Sequence, residues 1–198
     1  LDKILSADEV VKSPGISDDI QLIESIKSSK KNVISEVEFA FRYTNAKVLA
    51  ITGSNGKTTT KNILDSILSL EAPTLSTKGN LNNHLGVPQT ILKLSEKHQY
   101  CVIEMGANHE KEITLLCDIA KPDLALITNA NNAHLGEFGS LKSLVKAKGE
   151  IFKSLSQNGI ALINQESPHK SVWQKMSGTQ KFTFFGNMSS IYASNIRH

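Results

Sequence analysis

Short apolar runs alternate along the chain with segments in which apolar residues recur every three or four positions. Several runs are continuously apolar, as expected of strands covered on both faces, and the recurring segments predict helices between them. This alternation predicts an α/β fold with a mostly parallel sheet flanked by helices. The predicted strands are 9–12, 32–34, 47–51, 100–104, 124–128, 159–163 and 182–185, and the predicted helices are 18–28, 57–70, 88–94, 112–120, 141–155 and 171–176.

A glycine-flanked loop follows the third predicted strand. It reads Gly53-Ser54-Asn55-Gly56-Lys57-Thr58-Thr59 and leads into a predicted helix. Glycines let backbone N–H groups point at a phosphate, Lys57 can reach the terminal phosphates of a nucleotide, and Thr58 can offer its hydroxyl to Mg²⁺. The loop therefore predicts a site for ATP or GTP with magnesium.

The spacing of this loop leaves an alternative open. Two residues separate Gly53 from Gly56, whereas the usual phosphate loop has four, so an ordinary strand-to-helix turn would also explain the pattern. The β-branched strand before the loop and the helical pattern of Ile63, Leu64, Ile67 and Leu68 after it favour the phosphate loop. A phosphate loop requires that strand–loop–helix context.

Composition narrows the class of protein. The 22 basic and 19 acidic side chains among 198 residues leave a net charge of +3, which without clustering does not indicate a nucleic-acid or membrane partner. No apolar stretch approaches the roughly 20 residues of a membrane span, and no signal peptide precedes the first strand, so a cytoplasmic protein is expected. Cys101 and Cys117 fall in apolar segments, which favours two packed, reduced thiols over a disulfide or metal site.

Polar residues follow two further predicted strands. Glu104 ends one apolar run and His134 lies in the polar segment after another. Because ligands of open parallel sheets bind beyond the carboxyl ends of the strands, both residues should share a rim with the phosphate loop. A buried carboxylate needs a cation or hydrogen bonds, which Mg²⁺ would supply to Glu104. A turn-capping glutamate and a surface histidine are the alternatives.

Two lysines and three asparagines complete the candidate residues. Lys146 and Lys148 lie two positions apart on a predicted helix and diverge by about 200°, so at most one faces the cleft, and periodicity does not choose between them. Amides at Asn80, Asn82 and Asn83 suit contact with the sugar or peptide part of an anionic substrate, and local turn capping is the alternative.

Four motifs in order resemble the Mur ligases of peptidoglycan synthesis. They are Gly-Asn-Leu-Asn-Asn-His-Leu-Gly-Val-Pro at 79–88, Glu-Met-Gly-Ala-Asn-His at 104–109, Ala-His-Leu-Gly-Glu-Phe-Gly-Ser at 133–140 and Lys-Ala-Lys-Gly-Glu-Ile-Phe at 146–152. The resemblance covers about residues 47–186 and is greatest to the branch that adds D-alanyl-D-alanine. It implies the P-loop-containing central domain of that family, whose phosphate loop has the short spacing Gly-x-x-Gly-Lys-[Ser/Thr].

The resemblance implies an ATP-dependent, amide-forming ligase that acts through an acyl phosphate. Its substrates would be a UDP-N-acetylmuramoyl peptide and an amino acid or dipeptide. By position, Lys57 would hold the β- and γ-phosphates, Thr58 and Glu104 would bind one Mg²⁺, and His134 would help to bind a second. Lys148 aligns with a lysine that the family carbamylates with CO₂ to make a metal ligand, and its neighbour Lys146 would then be solvated. The asparagines at 80, 82 and 83 would face the substrate.

Two departures qualify the resemblance. Residues 8–47 look more like the D-glutamate-adding branch, which suggests a hybrid chain, and the order Gly136-Glu137 inverts the more familiar one, which leaves Glu137 without an assigned role. We expect residues 1–46 to be a remnant of the amino-terminal domain and its connection, residues 47–198 to be the central ATP-binding domain, and the carboxyl-terminal domain to be absent. Weak or no turnover is therefore expected.

Alternatives in other classes remain open on sequence alone. They are a D-glutamate-adding or folylpolyglutamate synthase-like ligase, and a nucleotide-binding fragment without turnover. A P-loop GTPase or kinase is less well supported, because Glu104 stands where such proteins place an aspartate at the end of an apolar strand.

Overall fold

The fold was analysed in a computed structural model that describes residues 2–13, 16–131, 135–156, 158–178, 181–187 and 189–191. Strands and helices alternate through most of this part of the chain. The elements are α1 (Asp2–Leu5), β1 (Glu9–Lys12), α2 (Gln21–Ser28), β2 (Asn32–Ser35), α3 (Glu36–Phe41), β3 (Lys47–Thr52), α4 (Lys57–Glu71), β4 (Thr74–Ser76), α5 (Gly86–Ile91), β5 (Tyr100–Glu104), α6 (Glu112–Ala120), β6 (Leu124–Ile127), α7 (Leu135–Phe138), α8 (Leu141–Lys153), β7 (Ile160–Asn164), α9 (Lys170–Met176) and β8 (Lys181–Phe185).

Six strands form one parallel sheet in the order β4-β5-β3-β6-β7-β8, and β1 pairs with β2 in a separate parallel sheet. The prediction of a mostly parallel α/β fold is confirmed. The chain passes from β5 to β6 across β3, so β3 is central and its carboxyl end opens between those of its two neighbours. Ligands of open α/β sheets bind at such a crossing point.

Helix α8 is fixed by a buried contact with α9. Trp173 is fully buried, its indole Nε1 donates to the carbonyl oxygen of Val145 at 3.0 Å, and its ring packs edge-on against Phe152. Gly149 brings the helices together, since a Cβ atom there would lie 2.4 Å from Sδ of Met176. This packing holds α8 rigidly against the rest of the core.

Only part of the apolar pattern on α4 faces the core. Leu64 and Leu68 pack against the sheet as expected, but Ile63 and Ile67 are each 54% exposed. Lys61 is buried instead, and its Nζ donates to the carbonyl oxygen of Thr77 at 2.9 Å. The helix therefore turns a cation towards the segment after β4.

The seven predicted strands are all present, with ends that differ by one residue at most. The short strand β4 and the helices α1, α3 and α7 were not predicted. In α3, Val37, Phe39 and Phe41 alternate with other residues as in a strand, but Ser35 caps the helix by accepting from the backbone N–H of Glu38 at 3.1 Å. The capping hydrogen bond favours a helix here, although the apolar residues alternate as in a strand.

Other expectations concern the core and the boundaries of the chain. Cys101 and Cys117 are buried and unpaired, which confirms packed thiols, and burial raises the pKa of each to about 12. None of the described helices is long and apolar enough to cross a membrane.

The separate β1–β2 sheet lies before residue 47, although Val37 packs into the main core. The domain boundary at residue 46 remains a prediction.

Candidate active site

The loop between β3 and α4 has the backbone geometry that its glycines predict. Gly53 and Gly56 have φ angles of 151° and 77°, which favour glycine. A Cβ atom on Gly53 would lie 1.9 Å from Oγ1 of Thr128, so the loop runs directly against the end of β6. Helix α4 begins at Lys57, and its free N–H groups can bind an anion at this point.

The segment after β6 braces the loop through hydrogen bonds. The backbone N–H groups of Ser54 and Asn55 donate to the carbonyl and the side-chain oxygen of Asn129, each at 3.0 Å. Thr128 Oγ1 donates to the carbonyl oxygen of Asn55 at 2.6 Å, and the N–H of Asn131 donates to Oγ of Ser54 at 3.1 Å. The sequence shows this polar run but gives no role to Asn129, which accepts hydrogen bonds from the loop with both its backbone and its side-chain oxygen.

Lys57 lies at the start of α4 and faces the loop. Its Nζ donates to the carbonyl oxygens of Gly53 and Ser54 at 3.0 and 3.3 Å. The side chain is half-buried and lines the cleft described below. A charged ammonium group thus stands where a phosphate bound to the loop would need one.

Glu104 is the buried carboxylate of the site, with 2% of its surface exposed at the end of β5. Thr58 Oγ1 donates to its Oε2 at 2.9 Å, and Asn82 Nδ2 donates to its Oε1 at 2.9 Å. The backbone N–H of Glu104 donates to Oγ1 of Thr77 at 3.0 Å. The bonds from Thr58 and Asn82 compensate the burial of the carboxylate.

Lys148 enters the cleft from α8, and only 4% of its surface is exposed. Burial, and to a smaller extent the charge of Lys57, lower the pKa of Lys148 to about 8, while the charge of Glu112 opposes the shift. Its Nζ lies 5.6 Å from the ring centre of Phe138, a cation–π contact. Lys146 faces outwards with 69% of its side chain exposed, as expected of a solvated neighbour.

These elements enclose a cleft of about 480 Å³. Its wall combines the phosphate loop, the segments after β4 and β5, and the helices α6, α7 and α8. The lining residues are Gly53, Ser54, Lys57, Asn82, Asn83, His84, Gly106, Ala107, Asn108, Glu112, Leu115, Leu116, Phe138, Leu144 and Lys148. Residues separated by about half of the chain therefore meet in one cavity.

The three candidate asparagines have different surroundings. Asn82 donates to Glu104, and Asn83 Oδ1 accepts from the N–H groups of Leu85 and Gly86 at 3.1 and 2.9 Å, which caps the start of α5. Asn80 is exposed. Substrate contact remains a prediction for each of them.

The sequence motif at 133–140 contains His134 and Glu137. His134 lies outside the described residues, and the side chain of Glu137 is exposed on α7. Among the described residues, no group of three or more histidine, cysteine, aspartate or glutamate side chains is arranged to hold a metal ion. In the part of the chain that the structure describes, the oxygens available to a metal beside Glu104 include the Thr58 hydroxyl.

Residues 51–198 match the Mur ligase middle domain. The chain belongs to the Mur ligase family. A UDP-N-acetylmuramoyl-tripeptide–D-alanyl-D-alanine ligase of Haemophilus influenzae is 46% identical over 158 residues, which are 78% of this chain and 34% of that protein. The ligase of the same name from Escherichia coli is 48% identical over 136 residues, 69% of this chain and 30% of that protein. The chain spans about a third of the length of these Mur ligases.

Solved Mur ligase structures share the fold. MurF from Acinetobacter baumannii superposes with a TM-score of 0.74 at 42% identity, covering 81% of this chain and 35% of that one. MurF from Thermotoga maritima, solved in complex with ADP, superposes with a TM-score of 0.66 at 25% identity, covering 94% and 49%. The resemblance drawn from the four sequence motifs is thus confirmed.

Proposed function

We propose that the protein is an ATP-dependent ligase that joins D-alanyl-D-alanine to a UDP-N-acetylmuramoyl tripeptide. The observation that carries this proposal is one cleft in which the phosphate loop and Lys57 face Lys148. Beside Lys57, Thr58 on the first turn of α4 is hydrogen-bonded to Glu104 at the end of β5. The relatives named for this reaction are similar to the same part of the chain. We place the reaction in the cytoplasm, where ATP is available, and assign no nucleic-acid partner.

ATP would bind at the loop of residues 53–59. The N-terminal amides of α4 would face the phosphates, and Lys57 would exchange its bonds to the carbonyl oxygens of Gly53 and Ser54 for bonds to the β- and γ-phosphates. The ADP complex of the Thermotoga maritima relative supports an adenine nucleotide. The bonds from the end of β6 would keep the loop in place as the phosphates enter.

A magnesium ion would be held by Thr58 and Glu104. Their oxygens lie 2.9 Å apart, and one hydroxyl and one carboxylate beside substrate phosphates form a donor set that suits Mg²⁺. When bound, the ion would neutralise charge on the transferring phosphoryl group. We assign His134 to a second metal site on the basis of its motif alone.

Lys148 would contribute as a carbamate. The reaction joins the neutral amine to CO₂ and releases one proton, giving Lys–NH–COO⁻. Burial beside Lys57 lowers the pKa of Lys148 to about 8, which raises the neutral fraction that can react. The product would turn a cation that repels Mg²⁺ into an anionic ligand, and it would pair with the ammonium group of Lys57.

The proposed reaction has two steps. A carboxylate oxygen of the tripeptide attacks the γ-phosphorus and ADP leaves, which forms an acyl phosphate. The amine of D-alanyl-D-alanine then attacks the acyl carbon, the new C–N bond forms, and phosphate and a proton leave. Lys57 would stabilise charge on the phosphoryl group. Asn82 and Asn83, which line the cleft, and the exposed Asn80 would position the substrate.

Calorimetric titration with MgATP tests the nucleotide site. We expect saturable binding to the wild-type chain, loss of at least roughly tenfold in affinity in Lys57→Ala, and unchanged binding in the matched control Lys146→Ala, whose lysine points to solvent. GTP should bind more weakly than ATP. Equal affinity in wild type and Lys57→Ala would refute the proposed loop.

A product assay tests the ligase. With MgATP, the UDP-N-acetylmuramoyl tripeptide and D-alanyl-D-alanine, we expect weak phosphate release that requires both substrates and a product whose mass equals their sum minus water. Replacing them by UDP-N-acetylmuramoyl-L-alanine and D-glutamate should abolish release. Turnover with the second pair alone would assign the protein to the D-glutamate-adding branch.

A further inference from the structure

We propose that Asn82 is a positioning residue that orients the Glu104 carboxylate and thereby sets the affinity of the site for the divalent cation that accompanies ATP. This inference rests on the proposed function. It gives Asn82 a role distinct from substrate contact and distinct from the roles of Asn80 and Asn83.

The first observation is that the two oxygens of Glu104 have different donors. Thr58 on α4 donates to Oε2, and Asn82 on the segment after β4 donates to Oε1, both at 2.9 Å. With a donor on each oxygen, the carboxylate cannot rotate without breaking a hydrogen bond in a buried setting. The amide of Asn82 therefore holds Oε1 in place and keeps Oε2 beside the Thr58 hydroxyl, and Oε2 and the hydroxyl oxygen would share the cation.

The second observation is that Asn82 is itself fixed to the end of β5. Its carbonyl oxygen accepts from the N–H of Gly106 at 2.8 Å. A Cβ atom on Gly106 would lie 3.0 Å from Oδ1 and 3.1 Å from Cγ of Asn82, so the amide group packs closely on the glycine. Backbone and side chain thus both connect Asn82 to the strand end that carries Glu104.

The third observation separates Asn82 from its neighbours. The side chain of Asn83 caps α5, and Asn80 is exposed, so in the described part of the chain Asn82 is the one asparagine of the three that hydrogen-bonds Glu104. Groups that orient a metal ligand typically change metal affinity by about 10- to 100-fold when they are removed. A loss of this size is expected for Asn82→Ala and not for Asn83→Ala.

The experiment measures Mn²⁺ binding by electron paramagnetic resonance with ATP present, and ATP binding by calorimetry in EDTA. For Asn82→Ala we expect Mn²⁺ affinity to fall about 10- to 100-fold while metal-free ATP affinity stays within about threefold of wild type. Asn83→Ala should lose thermal stability with little change in Mn²⁺ affinity. If the role of Asn82 were purely structural, the substitution would weaken the binding of both ligands or of neither.

A second variant covers the case in which Asn82→Ala does not fold. Asn82→Leu keeps the shape of the side chain against Gly106 but has no donor, and the same loss of Mn²⁺ affinity is expected. Unchanged Mn²⁺ affinity in either folded variant would overturn the inference about Asn82. The proposed function would still stand if the wild-type chain bound ATP and Mn²⁺. A wild-type chain that binds neither ligand would overturn both.

Discussion

Lys146 and Lys148 lie two positions apart on α8 and face opposite environments. Lys148 is 4% exposed and lines the cleft, whereas 69% of the Lys146 side chain is exposed, with its Nζ 3.9 Å from a carboxylate oxygen of Glu110. The helix therefore directs one cation inwards and leaves its neighbour in solvent. This pair provides a matched control for each experiment on Lys148.

The buried charge of Lys148 should make stability depend on pH. Its pKa is about 8 when folded against an ordinary value of 10.5, so between these values the unfolded chain binds more protons and the free energy of unfolding rises with pH. Below pH 8 Lys148 is protonated in both states, and the full free-energy cost of burying its charge applies. Without nucleotide or CO₂, Lys148→Met should raise the free energy of unfolding at pH 7 by up to about 3 kcal/mol.

Urea unfolding at pH 7, 8, 9 and 10 measures this effect. The advantage of Lys148→Met should shrink as the pH rises from about 8 towards 10, while Lys146→Met should differ from wild type by the same small amount throughout. An advantage that did not change with pH would show that packing, and not charge, accounts for it.

Thr77 should contribute to stability through one hydrogen bond. It is fully buried, and its Oγ1 accepts from the backbone N–H of Glu104 at 3.0 Å. Thr77→Val keeps the shape and leaves that N–H without its acceptor, which should lower the free energy of unfolding by about 1–3 kcal/mol in urea. Thr183→Val on β8, where the described contacts include no side-chain hydrogen bond, should change it by less than about 0.5 kcal/mol.

The two loop glycines should respond differently to alanine. At Gly56 only the positive φ of 77° is unfavourable and no atom lies within 4 Å of the added Cβ, so Gly56→Ala should cost about 1–2 kcal/mol. At Gly53 the added Cβ would also lie 1.9 Å from Oγ1 of Thr128, so the cost should be greater. Thermal unfolding of both variants checks the order, and the reverse order would contradict this account of the loop.

The contact between α8 and α9 predicts coupling between two positions. Gly149→Ala places a Cβ 2.4 Å from Sδ of Met176, and such overpacking should cost about 1–3 kcal/mol. Met176→Ala removes the obstructing sulfur, so the double variant should lose less stability than the sum of the single variants. A double-mutant cycle in urea measures this, and additive losses would place the strain elsewhere.

Much of the fold follows from apolar periodicity. Short apolar runs predicted the seven longer strands. Several of these runs are continuously apolar, because strands of a buried parallel sheet need apolar residues on both faces. Strand β4, Thr74–Ser76, has three residues and too short a pattern to detect. The apolar pattern after the loop predicted helix α4 but not the burial of Lys61, because its hydrogen bond to Thr77 is formed between segments that the sequence does not show to be neighbours.

Candidate site residues could be predicted where a short stretch of sequence carries a recognisable chemical pattern. The loop at 53–59 was predicted to bind phosphate from its glycines and Lys57, and Glu104 was predicted to bind a cation from its place at a strand end. The choice of Lys148 over Lys146 came from family resemblance, since helical spacing does not say which side faces the core. Hydrogen bonds between distant segments, such as those made by Asn82 and Asn129, required the tertiary structure.

Trp173 is the single tryptophan of the chain, and its indole is sealed in the core with a hydrogen bond to the backbone of α8. All tryptophan fluorescence therefore originates beside the helix that carries Lys148. The protein contains its own optical probe, so loosening of that helix can be followed by emission wavelength without any attached label.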